Sequence, residues 1–293
     1  MKLIQISDFK IGSTIQGFYY CKEKNLRHAK NGELFLDLTF IDSTGIISGK
    51  LWDLVENFNE RFDKGDPVAV KGEVTKFNDS LQLKVLNINK ATTNQYSCYG
   101  FSNELLIKQV SEPIETLWKR MLKITKTLSF PYKKLIQLII KNHENKIKMI
   151  PASLDSHYPI KGGFLKHIVT MIEMAVEILP NYPDLDRNLV LSGLILHDIG
   201  KIESFNDDIM IDYSNAGKIV GDLGLGLDVL RKTVDLIDDF PKQILFKLEH
   251  VILMRQDVKD LSSFNNLKFP EATLIKSLCV LDTNMYMALS SFE

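Results

Sequence analysis

Apolar residues recur along this chain with two different periods, and this change of period constrains the fold more than any other feature. Leucine or phenylalanine occupies every second position from Leu34 to Phe40, a period of two that is typical of half-buried strands. Farther along, as in "GGFLKHIVTMIEMAVEIL", apolar residues recur at steps of three and four, which is the period of amphipathic helices. We therefore expect a multidomain α and β protein, with a β-rich amino-terminal domain followed by an all-α domain.

The length of 293 residues fits two domains, since domains commonly contain about 100–150 residues. The predicted boundaries are 1–92 for the β domain, 93–118 for a linker, and 119–293 for the helical domain.

Composition excludes several classes of protein. The net charge is −1, so affinity for nucleic acid has to come from a local patch rather than from a global positive field. The three cysteines form no C-x-x-C pair, which argues against a disulfide framework and against a cysteine zinc site. The amino terminus has no secretory signal pattern, and no apolar run approaches the roughly 18–20 residues that span a bilayer. We expect a cytoplasmic protein without membrane contact.

Short strands separated by turns predict a small barrel in the first 90 or so residues. Asn31-Gly32 precedes the first alternating run and predicts a hairpin, because both residues tolerate the positive φ of a type I′ turn. The runs "IISGKLWD", "DPVAVKGEV" and "LQLKVLNI" follow. Their order over residues 12–90 resembles the OB-fold of proteins that bind single-stranded nucleic acid.

The OB-fold resemblance implies that bases stack on aromatic side chains within a basic groove. The candidates for stacking are Phe35, Trp52 and Phe77, and those for phosphate contacts are Lys50, Lys71 and Lys84. The alternative is that these aromatic residues are core residues or scattered surface residues.

A histidine and an aspartate, His197 and Asp198, end the apolar run in "LSGLILHDIGKIESF". Burying a carboxylate costs several kcal/mol unless something pairs with it. The pair therefore either holds a metal ion or forms a structural hydrogen-bonded pair.

Two more polar residues fall on apolar helical faces. His167 shares a face with methionine and isoleucine, and Asp282 lies among apolar residues at helical spacing. An inward histidine alone is more often a core residue with a satisfied hydrogen bond than a ligand, but two imidazoles and two carboxylates together suit a divalent ion.

The order His, His-Asp, Asp resembles the HD superfamily of metal-dependent phosphohydrolases. The match includes Gly200-Lys201, which implies that Lys201 lies near the substrate phosphate. An OB-fold followed by such a domain is similar to the YhaM family of bacterial 3′→5′ exoribonucleases over nearly the whole chain. Further matching stretches are "SHYPIKGGFLKH", "NAGKIVGDL", "LEHVIL" and "FPEA".

This resemblance implies hydrolysis of single-stranded RNA, with single-stranded DNA as a further substrate, usually with manganese. Mg²⁺, Co²⁺ and Fe²⁺ are the alternative ions, and assembly into a homo-oligomer is expected. The implied ligands are His167, His197, Asp198 and Asp282.

The chain departs from the family pattern at several positions. Gly221-Asp222 stands where a Gly-His pair is usual, and 254–257 reads Met-Arg-Gln-Asp where a His-His pair is usual. Asp222 is therefore a further candidate ligand. Arg255 is a candidate to replace the positive charge of a metal ion and to bind phosphate. The other candidate catalytic residues are Asp198 and Lys201.

Two other histidines remain as candidates. His157 keeps one position of a further His-His pair, and His250 lies in "LEHVIL", where approach to the site and structural packing are both open. The substitutions leave two alternative functions: a non-catalytic single-strand-binding protein with a degenerate HD domain, and an HD phosphodiesterase acting on small nucleotides.

Overall fold

The computed structural model describes residues 4–102, 106–206, 211–254 and 269–291. These residues form two compact units that divide after Gln109, within the segment predicted as a linker. A short helix, α2 (Thr93–Tyr96), lies in that segment, and the helix α3 begins at Ile114.

The first unit is a closed five-stranded barrel in the order β1-β2-β3-β5-β4. β1 closes the barrel by antiparallel pairing with β4, and β3 runs parallel to β5. The strands are β1 (Thr14–His28), β2 (Leu34–Asp42), β3 (Gly45–Leu51), β4 (Pro67–Phe77) and β5 (Ser80–Lys90). The predicted OB-fold barrel at the amino-terminal end is confirmed.

Side chains along the strands alternate between the interior and the outer surface of the barrel. Leu36, Leu38 and Phe40 of β2 are fully buried, whereas Asp37 and Thr39 between them face outward and are half-buried. A short helix, α1 (Val55–Asn59), connects β3 to β4 and contributes apolar side chains to the same core. The outward face of β2 and β3 is thereby left available to carry polar and aromatic residues.

The turns of the barrel differ from the sequence expectation at one point. The connection between β1 and β2 covers residues 29–33, where Gly32 has a φ of 87° and Asn31 is not among the residues with positive φ. The two-residue turn with positive φ at both positions is Asn78-Asp79, between β4 and β5. The longer β1–β2 loop is held by a hydrogen bond from Ala29 N to Glu33 O of 2.8 Å.

The second unit is helical and has one large apolar core. Its central helix, α6, packs against α4, α5, α10 and α11. The helices are α3 (Ile114–Thr125), α4 (Tyr132–Met149), α5 (Gly163–Ile178), α6 (Arg187–Leu196), α7 (Lys201–Ser204), α8 (Asn215–Ile219), α9 (Gly221–Val234), α10 (Lys242–Leu253) and α11 (Pro270–Ser290).

Within the described ranges, no helix combines the length and the apolar character that crossing a membrane requires.

Candidate metal centre and nucleic-acid interface

The His-Asp pair lies at the carboxyl end of the most buried helix, α6. The carboxylate of Asp186 caps the start of this helix by accepting hydrogen bonds from the backbone N–H groups of Asn188 and Leu189, at 2.8 and 3.1 Å. Every residue from Leu189 to Leu196 is buried. His197 follows directly as the carboxyl-terminal cap, so its backbone position is set by the packing of the whole helix.

Gly200 allows the chain after the pair to pass close to α9. A Cβ atom at this position would overlap the carbonyl oxygen of Asp222 and contact the backbone nitrogen of Gly226. Any other residue would push α9 away, which is a physical reason for glycine in "HDIGK".

The imidazole of His197 presents one nitrogen as a buried acceptor. Its Nδ1 lies 2.9 Å from the carbonyl oxygen of Leu194, and because a carbonyl only accepts, the proton resides on Nδ1. Nε2 is buried and has no hydrogen-bond partner among the described residues. Burial lowers the pKa of His197 to about 4, so the ring is neutral near pH 7 and its Nε2 lone pair is available to a cation.

His167 is oriented by a carboxylate on another helix. Its Nδ1, on α5, lies 2.5 Å from Oδ2 of Asp282, on α11. The hydroxyl of Tyr158 donates to the other oxygen of Asp282 at 3.1 Å. A carboxylate on the Nδ1 side turns Nε2 toward the opposite side, which is how metal-binding histidines are usually held.

A cysteine that the sequence reasoning did not select completes the cluster. Sγ of Cys279 lies 3.8 Å from Nε2 of His167, and donor atoms of His167, His197 and Cys279 all lie within 4.8 Å of one another. The spacing of three residues between Cys279 and Asp282 on one helix was a signal that could have identified it.

The carboxylate of Asp198 is paired with a lysine. Nζ of Lys201 lies 2.5 Å from Oδ2 of Asp198 and also donates to the carbonyl oxygen of Ala152. The same Asp198 oxygen lies 3.6 Å from Nε2 of His197. Both side chains of the ion pair are almost fully buried, so each compensates for the burial of the other's charge.

His157 lies against the cluster and is neutral. The centroids of its ring and the His167 ring are 4.8 Å apart, and burial, with the nearby His167, lowers the pKa of His157 to about 3. Its Nδ1 lies 3.1 Å from the hydroxyl of Ser156, while its Nε2 is buried without a hydrogen bond within the described part of the chain.

Two predicted site residues, His250 and Asp222, are not part of this cluster of donor atoms. The ring of His250 packs at 5.3 Å from the ring of Phe269. Asp222 lies in the first turn of α9, with its backbone against Gly200. Arg255 lies outside the described residues. The cluster of two imidazoles and a thiol fits a divalent cation, because nitrogen and sulfur donors converge on a buried site.

Four of the predicted nucleic-acid contacts lie together on the outward face of β2 and β3 and on the adjacent strand β5. The rings of Phe35 and Trp52 stack with centroids 4.5 Å apart at 23°, and Nζ of Lys50 lies 5.2 Å from the Phe35 centroid. Lys84 on β5 is paired in register with Lys50 on β3. Trp52 is 41% exposed, so an aromatic surface with adjacent cations is open to a strand.

One acidic residue, Asp37, occupies the same face. Its carboxylate lies 2.5 Å from Nζ of Lys50 and 3.2 Å from Nε of Arg27, so it neutralises part of the positive charge beside the aromatic pair.

Lys71 and Phe77 lie apart from these four residues. Lys71, on β4, borders a groove with Phe18, Tyr96 and Tyr99. Phe77 is 60% exposed next to the Asn78-Asp79 turn. The structure therefore divides the six predicted contacts between the β2–β3 face and other parts of the barrel.

Comparisons with known proteins concern the barrel and the chain as a whole. The family profile described as OB-fold nucleic acid binding domain matches residues 22–91. Over 284 residues the chain is 26% identical to a curated protein of Oceanobacillus iheyensis named 3′-5′ exoribonuclease YhaM, covering 94% of this chain and 86% of that protein.

Two solved structures are similar to part of the chain. The second OB-fold domain of replication protein A from Methanococcus maripaludis is 26% identical, with a TM-score of 0.26 and coverage of 30% of this chain and 94% of that one. The mitochondrial single-stranded DNA binding protein Rim1 of S. cerevisiae is 14% identical, with a TM-score of 0.25 and coverage of 28% and 97%. The curated match over nearly the full length confirms the predicted resemblance: the chain, an OB-fold barrel followed by a helical domain, is similar to a protein named 3′-5′ exoribonuclease YhaM.

Proposed function

We propose that the protein is a divalent-metal-dependent exonuclease that hydrolyses single-stranded RNA from its 3′ end, with single-stranded DNA as a further substrate. The observation that carries this proposal is the convergence of the His167 and His197 imidazoles on one buried point. It occurs in a chain that is similar over 94% of its length to a protein named 3′-5′ exoribonuclease.

The helical unit is proposed to act as an HD phosphohydrolase domain. His167 and His197 would hold the ion, Asp198 lies beside His197, and Asp282 holds His167 in position. A bound divalent ion would lower the pKa of a coordinated water and withdraw charge from a phosphoryl oxygen. Manganese is the ion that the resemblance implies, with Mg²⁺, Co²⁺ and Fe²⁺ as alternatives; Asp222 remains a candidate for a further ligand.

Lys201 is proposed to stabilise the negative charge that develops on the scissile phosphate. Its ammonium group is almost fully buried beside Asp198, where the low dielectric makes a fixed charge more effective than in water. Asp198 holds Nζ in place, and Ala152 fixes it from a second side. Arg255 is proposed to add a second cation at the phosphate.

The barrel is proposed to capture the strand. Phe35 and Trp52 are proposed to stack with bases, and Lys50 and Lys84 to contact phosphates of the same strand; the stacked rings and the paired register of the two lysines support this proposal. Contacts of this kind bind single strands with little sequence preference, which suits an exonuclease that has to move along its substrate.

Two further properties are proposed. Cytoplasmic location is supported by cysteines that form no disulfide, since reducing conditions preserve thiols.

Self-association is supported by the exposed apolar side chains on the carboxyl-terminal half of α11, which are Val280, Leu281, Met285, Met287 and Leu289. Sedimentation analysis of the purified protein tests the second property.

The test of the proposed function is degradation of a 5′-labelled single-stranded RNA with manganese and, separately, with cobalt. We expect the RNA to shorten from its 3′ end and chelator to abolish this shortening. Asp198→Asn should lower the rate of shortening by at least about 100-fold. Asp228→Asn, on the exposed face of α9, is the matched control because its pair with Lys232 lies on the surface. Thermal melting of each variant separates loss of chemistry from loss of fold.

A non-catalytic single-strand-binding protein is the second candidate. The observation that favours it is the replacement of usual family histidines by Tyr158 and Asp222. Salt-sensitive RNA binding without shortening in either metal would support this candidate and contradict the exonuclease.

A further inference from the structure

We propose that Cys279 is a thiolate ligand of the divalent ion, so that the metal centre is a His₂Cys site formed with His167 and His197. This inference rests on the metal site of the proposed function and adds a ligand to it. It also changes the class of ion for which the site is suited.

The separation of the donor atoms fits direct coordination. Sγ of Cys279 lies 3.8 Å from Nε2 of His167. Tetrahedral zinc, with Zn–S of about 2.3 Å and Zn–N of about 2.0–2.1 Å, places sulfur and nitrogen about 3.5–3.6 Å apart. Since all three donors lie within 4.8 Å of one another, small side-chain adjustments bring them onto one ion.

Both histidines direct the same nitrogen toward the thiol. Nδ1 of His197 is held by the Leu194 carbonyl, and Nδ1 of His167 is held by the Asp282 carboxylate. Each Nε2 is therefore the available donor, and that of His197 is buried without a hydrogen-bond partner in the described ranges. An unsatisfied buried nitrogen is costly unless a ligand occupies the space in front of it.

Both carboxylates near the cluster, those of the predicted ligands Asp282 and Asp198, contact other groups of the protein. Oδ2 of Asp282 binds Nδ1 of His167, and Oδ1 accepts from Tyr158. Oδ2 of Asp198 pairs with Lys201. Cys279 lies one helical turn before Asp282 on α11, so a single helix provides both a ligand and the group that orients another ligand.

The donor set changes the expected metal preference. Thiolate and imidazole favour Zn²⁺, Co²⁺ and Fe²⁺, whereas manganese and magnesium prefer oxygen ligands. Three protein ligands leave a fourth position for water or substrate, as in catalytic zinc sites. A chain with three cysteines cannot supply a four-cysteine site, but it can supply a single thiolate ligand.

The test is binding of Co²⁺, followed by absorption, to wild type, Cys279→Ser and the control Cys98→Ser. A Co–thiolate bond gives a charge-transfer band in the near ultraviolet that Co–imidazole bonds lack. We expect the band in wild type and in the control, whose cysteine is exposed, and its loss in Cys279→Ser together with a fall in Zn²⁺ affinity of at least about 100-fold. Stoichiometric Co²⁺ binding without the band in wild type would overturn the inference.

A second measurement uses wild-type protein alone, so that it does not depend on the folding of a variant. Iodoacetamide labelling is followed by mass spectrometry with and without Zn²⁺. Zinc is expected to protect Cys279 at least tenfold and to leave Cys98 unprotected; equal labelling rates at Cys279 contradict thiolate ligation. If RNA is shortened in manganese while the cobalt band is absent, the Cys279 inference fails and the proposed exonuclease stands.

Discussion

Oδ2 of Asp282 lies 2.5 Å from Nδ1 of His167 although 115 positions separate the two residues in the chain. The contact joins α5 to α11 inside the helical unit, where His167 has no exposed surface and Asp282 is 5% exposed. It assigns the histidine proton to the carboxylate side and leaves Nε2 facing the cluster.

Replacing this carboxylate is expected to weaken metal binding without removing a ligand. Asp282→Asn keeps the shape of the side chain but loses the charge that holds the His167 tautomer, so affinity for a divalent ion should fall about 10- to 100-fold. Competition with a chelating dye measures the change, and Asp228→Asn is the surface control. Unchanged affinity in Asp282→Asn would mean that His167 needs no orienting group.

The stacked pair on the barrel is expected to dominate strand capture. Trp52→Ala removes a base-stacking surface worth about 1–3 kcal/mol, so Kd for a short RNA should rise about 5- to 150-fold, while Trp52→Phe recovers most of the loss. Fluorescence anisotropy in chelator measures binding without degradation. Ile219→Ala, an 85% exposed apolar residue of the helical unit, should bind RNA as wild type does.

The carboxylate of Asp37 is expected to weaken the binding of RNA to the barrel. Its carboxylate engages both Lys50 and Arg27, and removing one negative charge near a phosphate changes the interaction by about 1 kcal/mol in water-like surroundings. Asp37→Asn should therefore tighten RNA binding about fivefold at low salt, with a steeper dependence on salt concentration. Weaker binding in this variant would show that Asp37 positions the two cations rather than competing for them.

Gly200 is expected to tolerate no side chain. Gly200→Ala forces a Cβ against the Asp222 carbonyl and should lower the free energy of unfolding by about 1–3 kcal/mol. Gly224→Ala, in the same α9, meets only a side-chain methyl of Val220 and should stay within about 1 kcal/mol of wild type, because alanine favours helix. Urea denaturation compares the two; equal stabilities would refute the close approach of α9.

The amino-terminal cap of α6 is expected to stabilise the helical unit. Asp186→Ala removes the acceptor for two backbone N–H groups and for the hydroxyl of Tyr132, and should destabilise the protein by about 1–2 kcal/mol. Asp186→Asn keeps an acceptor and should lose less. Should both variants melt at the wild-type temperature, the helix would have to be held by packing alone.

The barrel and the inward polar residues could be predicted from the sequence because each follows from a periodic pattern. Alternation in β2 predicted a strand, and helical spacing predicted that His167 and Asp282 face the core, where both are buried. Cys279 lay in the same pattern, but a cysteine on an apolar face has the spacing of an ordinary core residue.

Pairings between distant helices are not visible in a periodic pattern. The contact of Asp282 with Nδ1 of His167 depends on how α5 and α11 pack, whereas the Lys201–Asp198 pair is local, three residues apart in the chain. The turn at Asn31-Gly32 was predicted as type I′ because both residues permit it, but the strands pair in a register that leaves a longer loop.

Burial of α6 from Leu189 to Leu196 couples the metal centre to the cooperative unfolding of the helical unit. Amide hydrogens between Leu189 and Leu196 are shielded on all sides, so their exchange with deuterium requires sub-global or global opening rather than local fraying. His197 ends this helix and shares its opening free energy. A substitution that destabilises this core would therefore also raise the fraction of molecules in which His197 is displaced from the ion site.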